Sequence, residues 1–250
     1  DNAFSYTLNA NTLASNYVIT TVNGKLTVTK ASVVDPESGA EPGDGTVPDG
    51  GLSKFDTSFV YDGETHTINT NALIKAFEGA MIGDITVEYA LDNGENAPND
   101  ETWSATPYAF TNVCEEVVWY RVQNENYNDF VHAAKVVITT RPVDVSVVGH
   151  TAEYTFDGSV KSVSGYDITT ADPLYDTADT TFSGTGSVSR TDVGTSSLGL
   201  TATDFVNTNA NFAVTYLVTD GWVKINALNI ESASASLEIK LATNPMYNGS

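Results

Sequence analysis

One short element, an aromatic residue followed by Asp or Asn and then Gly, occurs three times in this chain of 250 residues: Tyr61-Asp62-Gly63, Phe156-Asp157-Gly158 and Tyr247-Asn248-Gly249. Each copy follows a β-rich run, and the copies stand about 90 to 95 residues apart. A motif that recurs at the length of a small domain makes the chain a tandem array of like units, each with its own core. The element itself reads as the end of a first strand and a tight turn into a second.

A second pair of segments follows the same spacing. In "NYVITTVNGKLTVTK" (residues 16–30) two β-rich runs flank Asn23-Gly24, a dipeptide whose members both accept the positive φ of a type I′ turn. A two-residue loop there sets Thr21 opposite Leu26, Ile19 opposite Val28 and Tyr17 opposite Lys30. In "NFAVTYLVTDGWVKI" (residues 211–225) the turn falls at Asp220-Gly221, with Val218 opposite Val223 and Tyr216 opposite Ile225. Both are expected to be half-buried antiparallel hairpins that close a unit.

These marks divide the chain. Residues 1–31 read as the closing strands of a preceding repeat, and residues 32–53, with "DPESGAEPGDGTVPDGG", as a Pro/Gly/acidic linker. Residues 54–141 and 142–226 are two full repeats, and residues 227–250 the first strand of a following one. The chain opens on Asp1 rather than Met, which suggests an excised piece of a longer protein with targeting and anchoring segments elsewhere. Within the full repeats "VVWYRV" (117–122), "AKVVITT" (134–140) and "VDVSVV" (143–148) have strand composition. The one helix-like patch is "TNALIKAFEGAMIGD", with Leu73, Ala76, Phe77 and Ala80 at helical spacing. The fold class expected is all-β: tandem antiparallel Ig-like sandwiches, with a grasp-like sheet as the alternative.

Charge narrows the partners. The chain carries 32 Asp and Glu against 11 Lys and Arg, a net charge of −21. That excludes a nucleic-acid partner, which needs clustered cations, and contact with an anionic membrane surface. No stretch is long and apolar enough to span a bilayer. Cys114 is the only cysteine, so no intrachain disulfide can form.

The segment "EYALDNGENAPNDETWSATPYAFTNVCEEVVWYRVQNENYND" (88–129) resembles the bacterial Ig-like repeats of large Gram-positive surface proteins. "TFDGSVKSVSGYDIT…TDVGTSSLGLTATDFVNTNANF", like "NYVITTVNGKLTVT", is similar to the MBG-type repeats of the same proteins. Together these motifs cover nearly the whole chain outside the linker. The resemblance implies a stalk or adhesin at the bacterial cell surface or cell wall, with many β-domains in tandem and no catalytic residues to carry over. Cys114 stands where the second full repeat has Gly194, which argues against a positive-φ turn at that point of the first.

Chemistry is sparse. His66, His132 and His150 are scattered over different elements, and neither a nucleophile elbow nor a zinc-ligand spacing occurs. No cofactor is expected other than calcium, for which "LDNGENAPNDE" supplies hard oxygen donors in one loop: Asp92, Asn93, Glu95, Asn96, Asp100 and Glu101. The plain alternative is a solvated acidic loop. A Lys–Asn isopeptide cross-link would need Lys135 or Lys224 buried beside a carboxylic acid. Trp119 and Trp222, placed by alternation opposite the apolar face of their strands, are the candidate ligand-binding residues, because outward rings can stack on a glycan or fill an interface. Packing against a neighbouring repeat is the competing role, and Trp103 reads as a lid over the core edge. The remaining partner expected is the chain itself: the tail strand around Ser236 to Leu241 of one copy adding to the head hairpin of another, a head-to-tail strand addition.

Overall fold

A computed structural model describes residues 5–34, 36, 53–94, 98 and 102–229. The protein is predominantly β, with several sheets and, among the described residues, one α-helix. It divides into two compact units, Asp1–Phe59 with Glu64–Ile138, and Val60–Gly63 with Thr139–Ser250.

The first unit is a four-stranded sheet carrying a helix on one face. Its strands β1 (Thr57–Val60), β2 (Thr86–Leu91), β3 (Cys114–Asn124) and β4 (Tyr127–Thr139) lie in the order β1-β4-β3-β2. β3 and β4 form a long antiparallel hairpin, Tyr120 opposite His132 and Val118 opposite Ala134, with an irregularity between Val122 and Asn124. Helix α1 (Thr70–Ala80) forms at the patch whose apolar residues recur at helical spacing. The Asn69 side chain caps it by accepting from the Ala72 N–H at 3.2 Å. Its inner face presents Leu73 and Phe77, both fully buried. Phe77 meets Tyr120 and Phe130, with ring centroids 6.4 and 4.9 Å apart, and Phe55 meets Tyr120 edge-on at 5.7 Å. Because side chains alternate along a strand, Trp119 and Ala133, the neighbours of Tyr120 and Ala134, face the other way. There they form a small second cluster with Ala90, against which Trp103, Val117 and Val131 pack.

The second unit is built around two pairs of parallel strands. β5 (Arg141–Gly149) runs parallel to β13 (Phe212–Thr219), and β6 (Thr151–Thr155) parallel to β14 (Trp222–Asn226). β8 (Tyr166–Thr170) adds antiparallel to β5, and β11 (Gly194–Ser197) antiparallel to β14. Two short antiparallel pairs complete the unit: β7 (Lys161–Ser164) with β10 (Ser187–Arg190), and β9 (Thr180–Phe182) with β12 (Phe205–Asn207). The core gathers Val143, Val145 and Val147 from alternate positions of β5 with Tyr175, Leu198, Leu200, Phe205 and Phe212.

Both expected closing hairpins require correction. β13 and β14 belong to different sheets, so Asp220-Gly221 is a crossing from one sheet to the other rather than a hairpin turn. Gly221 has no positive φ. Glycine is needed there because the β5–β6 junction crosses alongside: a Cβ on Gly149 would overlap the Gly221 backbone, and a Cβ on Gly221 would overlap the His150 carbonyl. The Asp220 carboxylate fixes the crossing by accepting from the backbone N–H groups of Leu200 at 2.9 Å and Gly199 at 3.1 Å. The antiparallel expectation likewise fails for the β5/β13 and β6/β14 pairs.

Residues 17–30 contain no strand. Val18 is 98% exposed and Val28 87%, and Gly24 adopts no positive φ. A two-stranded hairpin is marginal on its own in water, and among the described residues no sheet takes up its apolar face. Near its end the segment meets the first unit, where the Lys30 ammonium donates to the Asn124 carbonyl at 3.1 Å. Ala31 bridges Tyr127 in parallel fashion, donating its N–H to the Asn126 carbonyl at 2.9 Å and accepting from the Asn128 N–H at 2.8 Å. Val33 is buried.

Candidate functional site

The aromatic cluster on the helix-free face of the first unit is the best candidate ligand site that alternation marks. Trp119 occupies that face, yet it is only 1% exposed. Its indole N–H donates to Asp92 Oδ1 at 2.9 Å, and Ala90 and Ala133 are its register partners on either side. Small neighbours let the large ring lie flat into the sheet, and Trp103 packs over the cluster as the expected lid. Arg121 then covers Trp103 with its guanidinium 4.8 Å from the ring centroid, while Glu88 holds that guanidinium at 2.7 Å. The outward-ring expectation for Trp119 therefore gives way: the ring offers no open face to a ligand. Trp222 is half-buried on β14, between Ser197 of β11 and Thr151 of β6.

The calcium expectation touches the described residues only at Asp92 and Asn93; Glu95, Asn96, Asp100 and Glu101 lie outside them. The Asp92 carboxylate is engaged by the Trp119 indole, and its backbone N–H donates to the Val117 carbonyl at 3.1 Å. Among the described residues no three of His, Cys, Asp and Glu converge on one point.

Neither lysine meets the burial that an isopeptide needs. Lys135 is 39% exposed and pairs with Glu115 at 3.0 Å; Lys224 is 43% exposed and pairs with Glu153 at 2.8 Å. Asn226 also donates to Glu153, at 2.6 Å, and these two hydrogen bonds hold the Glu153 carboxyl below its ordinary range. An ionised, exposed glutamate is a poor proton shuttle for amide formation.

The histidines serve three separate structural roles. His66 stacks on Phe59 with ring centroids 3.7 Å apart. His132 lies beside Tyr120 and Phe130. His150 sits at the β5–β6 crossing with Nδ1 2.8 Å from the Ser164 carbonyl and Nε2 3.4 Å from Asp167. Cys114 begins β3 in extended conformation, with no positive φ. Burial and then the Glu116 charge push its thiol up.

Two devices carry the architecture that the sequence reading did not assign. The first is an asparagine at each turn. Asn124, 6% exposed, donates to the Ile82 and Asp84 carbonyls at 3.2 and 2.9 Å and accepts from the Asn126 N–H at 2.7 Å. Asn207 donates to the Asn209 and Phe212 carbonyls at 2.7 and 3.0 Å and accepts from the Asn209 N–H at 2.9 Å. The Asn-x-Asn-x-Asn runs at 124–128 and 207–211 were the available signal, because asparagine side chains bond readily to the backbone two residues on. The second device is the aromatic-Asp-Gly element. The Tyr61 N–H donates to the carbonyl of Thr139, the last residue of β4, at 2.9 Å; the Phe156 N–H donates to the carbonyl of Asn226, the last residue of β14, also at 2.9 Å. The following glycines take the same left-handed conformation, φ 80° at Gly63 and 78° at Gly158.

In the second unit that element fills a seat. The Tyr61 ring meets Phe212 edge-on with centroids 5.2 Å apart, and Gly63 lies against Leu174. In the first unit an open groove of about 530 Å³ is lined by residues 28–31, Ile82 and residues 125–127. Comparison with known proteins adds no relative: no protein-family model matches the chain, and no curated protein or solved structure matches it significantly.

Proposed function

We propose that the chain is a spacer segment of a multi-domain bacterial surface protein: β-domains in series, with a grasp-like first unit, whose task is to hold another domain away from the cell wall. The observation that carries this reading is the pairing of the second unit's opening and closing strands in parallel. β5 lies along β13 from Arg141–Phe212 to Val148–Thr219, and β6 along β14 from Thr151–Trp222 to Thr155–Asn226. A pull applied at the two ends of such a unit loads both ladders along their length, so their hydrogen bonds must break together rather than one at a time. The Phe156–Asn226 bond locks the far end of the ladder. That is a geometry suited to bearing tension, and the engaged Trp119, Asp92 and lysines leave these groups to structural work.

Stretching single molecules tests it. The second unit is expected to open in one abrupt event, with a length gain matching residues 141–226 at about 3.5 Å each. Gradual extension at low force would sink the load-bearing reading. The second reading, a glycan-binding module, rests on Trp222, and a glycan array in which a signal is lost on Trp222→Ala would favour it.

A further inference from the structure

β13 is an edge strand. The strand order in its sheet is β13-β5-β8, and β12, the strand before it in the chain, pairs with β9 instead. The Arg141 N–H donates to the Asn211 carbonyl, and in a parallel ladder that phase recurs every second residue. Ala213, Thr215, Leu217 and Thr219 therefore turn their backbone groups toward β5, and Val214, Tyr216 and Val218 turn theirs the other way. Among the described residues nothing receives those outward N–H and C=O groups. Burial agrees. Val143, Val145 and Val147 of β5 are 4%, 0% and 0% exposed, whereas their register partners Val214, Tyr216 and Val218, on the same face one strand over, are half-buried.

A row of unpaired backbone donors and acceptors is a template for another strand, and edges are ordinarily blunted by charge, proline, a bulge or short length. The opposite edge of this sheet is blunted in that way: β8 has five residues and carries the exposed Asp167. β13 has eight residues, "FAVTYLVT", with no charge and no proline, and its register against β5 is unbroken. Its outer side presents Ala213, Thr215, Leu217 and Thr219, with Leu217 53% exposed.

We propose that β13 pairs antiparallel with β13 of a second copy of the chain, about a two-fold axis at Tyr216. That register sets Tyr216 opposite its own symmetry mate and Val214 opposite Val218, so the outward N–H and C=O groups of both copies all find partners. Each copy offers the same patch, so the contact is isologous and closes at a dimer. Charge selects the occupant. The chain carries a net charge of −21, and two copies meet at least cost where neither brings a charge, as along β13. Within the sheet the acid beside β13 is Asp144 of β5, the register partner of Thr215. In the dimer the two Asp144 residues stand three strand spacings apart, about 14 Å, beyond the screening length of about 8 Å at 0.15 M salt.

Sedimentation of the 250-residue chain up to about 1 mM, where even a small contact registers, tests the pairing. Association is expected to strengthen from about 0.01 to about 0.15 M salt, as repulsion between the copies is screened. Leu217→Glu places two carboxylates diagonally across the new strand pair and is expected to weaken it about tenfold or more. Val193→Glu adds the same charge just before β11, in the other sheet, and should leave association within about twofold. Both residues are exposed, so neither change touches the core. Amide hydrogen exchange reads the ladder itself: raising the concentration should slow Val214, Tyr216 and Val218 and leave Ala213, Thr215 and Leu217, already turned to β5, as they were. A monomer at all concentrations, association that salt weakens, a Leu217→Glu effect no larger than that of Val193→Glu, or protection without that alternation would overturn the contact. So would protection of the same amides in a monomeric chain by the peptide acetyl-Lys-Val-Lys-Val-Lys-amide, an outcome that gives the edge to a basic foreign strand. Stretching single molecules, which tests the spacer reading, involves no second copy, so the two can fail separately.

Discussion

Gly149 and Gly221 touch where two chain segments cross side by side between sheets, and each leaves no room for a methyl group. Gly221→Ala is expected to destabilise the second unit by about 1–3 kcal/mol, the range for forcing extra atoms into a packed site. Gly24→Ala should leave the melting temperature unchanged, since nothing lies within 4 Å of a Cβ there and its φ is ordinary. A Gly221→Ala variant no less stable than Gly24→Ala would mean that the crossing yields to a methyl group. His150, at the same crossing, is a second test. The Ser164 carbonyl, then Asp167, raises its pKa above the ordinary value. A raised folded-state pKa means a stabilising contribution fully present below the unfolded value near 6.5 and lost as pH rises through the folded one. His150→Gln should therefore narrow the stability difference between mildly acidic and mildly alkaline buffer, measured by denaturant titration. A difference that is unchanged in the variant would assign the pH response elsewhere.

At the scale of elements, local pattern and non-local pairing part company. Helix α1 and the strands β3 and β4, though not their pairing, were legible because their signals are short-range: apolar spacing of 3.6 for the helix and β-branched, aromatic runs for the strands. The β13/β14 misreading used the same kind of signal. Asp-Gly between β-rich runs is good hairpin chemistry, but β13 finds its partner in β5, about 70 residues earlier, and no local pattern reports that. Trp119 shows the limit of alternation, which gives the side of the sheet but not what covers that side; the covering residue, Trp103, comes from a distant loop. The buried polar cluster of the second unit was similarly invisible. The Tyr175 hydroxyl lies 2.9 Å from Thr180 Oγ1 and donates to Asn207 Oδ1 at 3.3 Å, and burial pushes its pKa up to about 12. It ties the loop before β9 to the asparagine turn before β13. Tyr175→Phe should cost about 1 kcal/mol, the net worth of a buried hydrogen bond, with the core volume preserved. Chemical denaturation measures it, and a neutral or stabilising result would mean that the hydroxyl does not brace the turn.

Over the whole molecule the dominant fact is a net charge of −21, with 32 acids against 11 bases. Among the described residues the ion pairs are exposed to differing degrees: the Arg121 side chain paired with Glu88 is 14% exposed, while Lys135–Glu115 and Lys224–Glu153 lie largely in solvent. Exposed pairs contribute little, so unpaired like charge governs the response to salt. Mutual repulsion among carboxylates opposes the compact state, and the screening length shrinks from about 30 Å at 0.01 M to about 8 Å at 0.15 M ionic strength. The melting temperature is therefore expected to rise between those two salt concentrations at pH 7. If attraction within ion pairs were the larger effect, the same change would lower it. Calcium chloride and sodium chloride at matched ionic strength then separate screening from binding. Equal rises assign the effect to screening alone, whereas an extra rise with calcium that is lost on Asp92→Asn would establish a specific site in the 92–101 loop. Asp92→Asn is the change to make because it removes the charge but keeps an oxygen that can accept the Trp119 indole N–H, so unchanged tryptophan fluorescence in the variant shows that the surrounding packing is intact and the lost rise belongs to the metal.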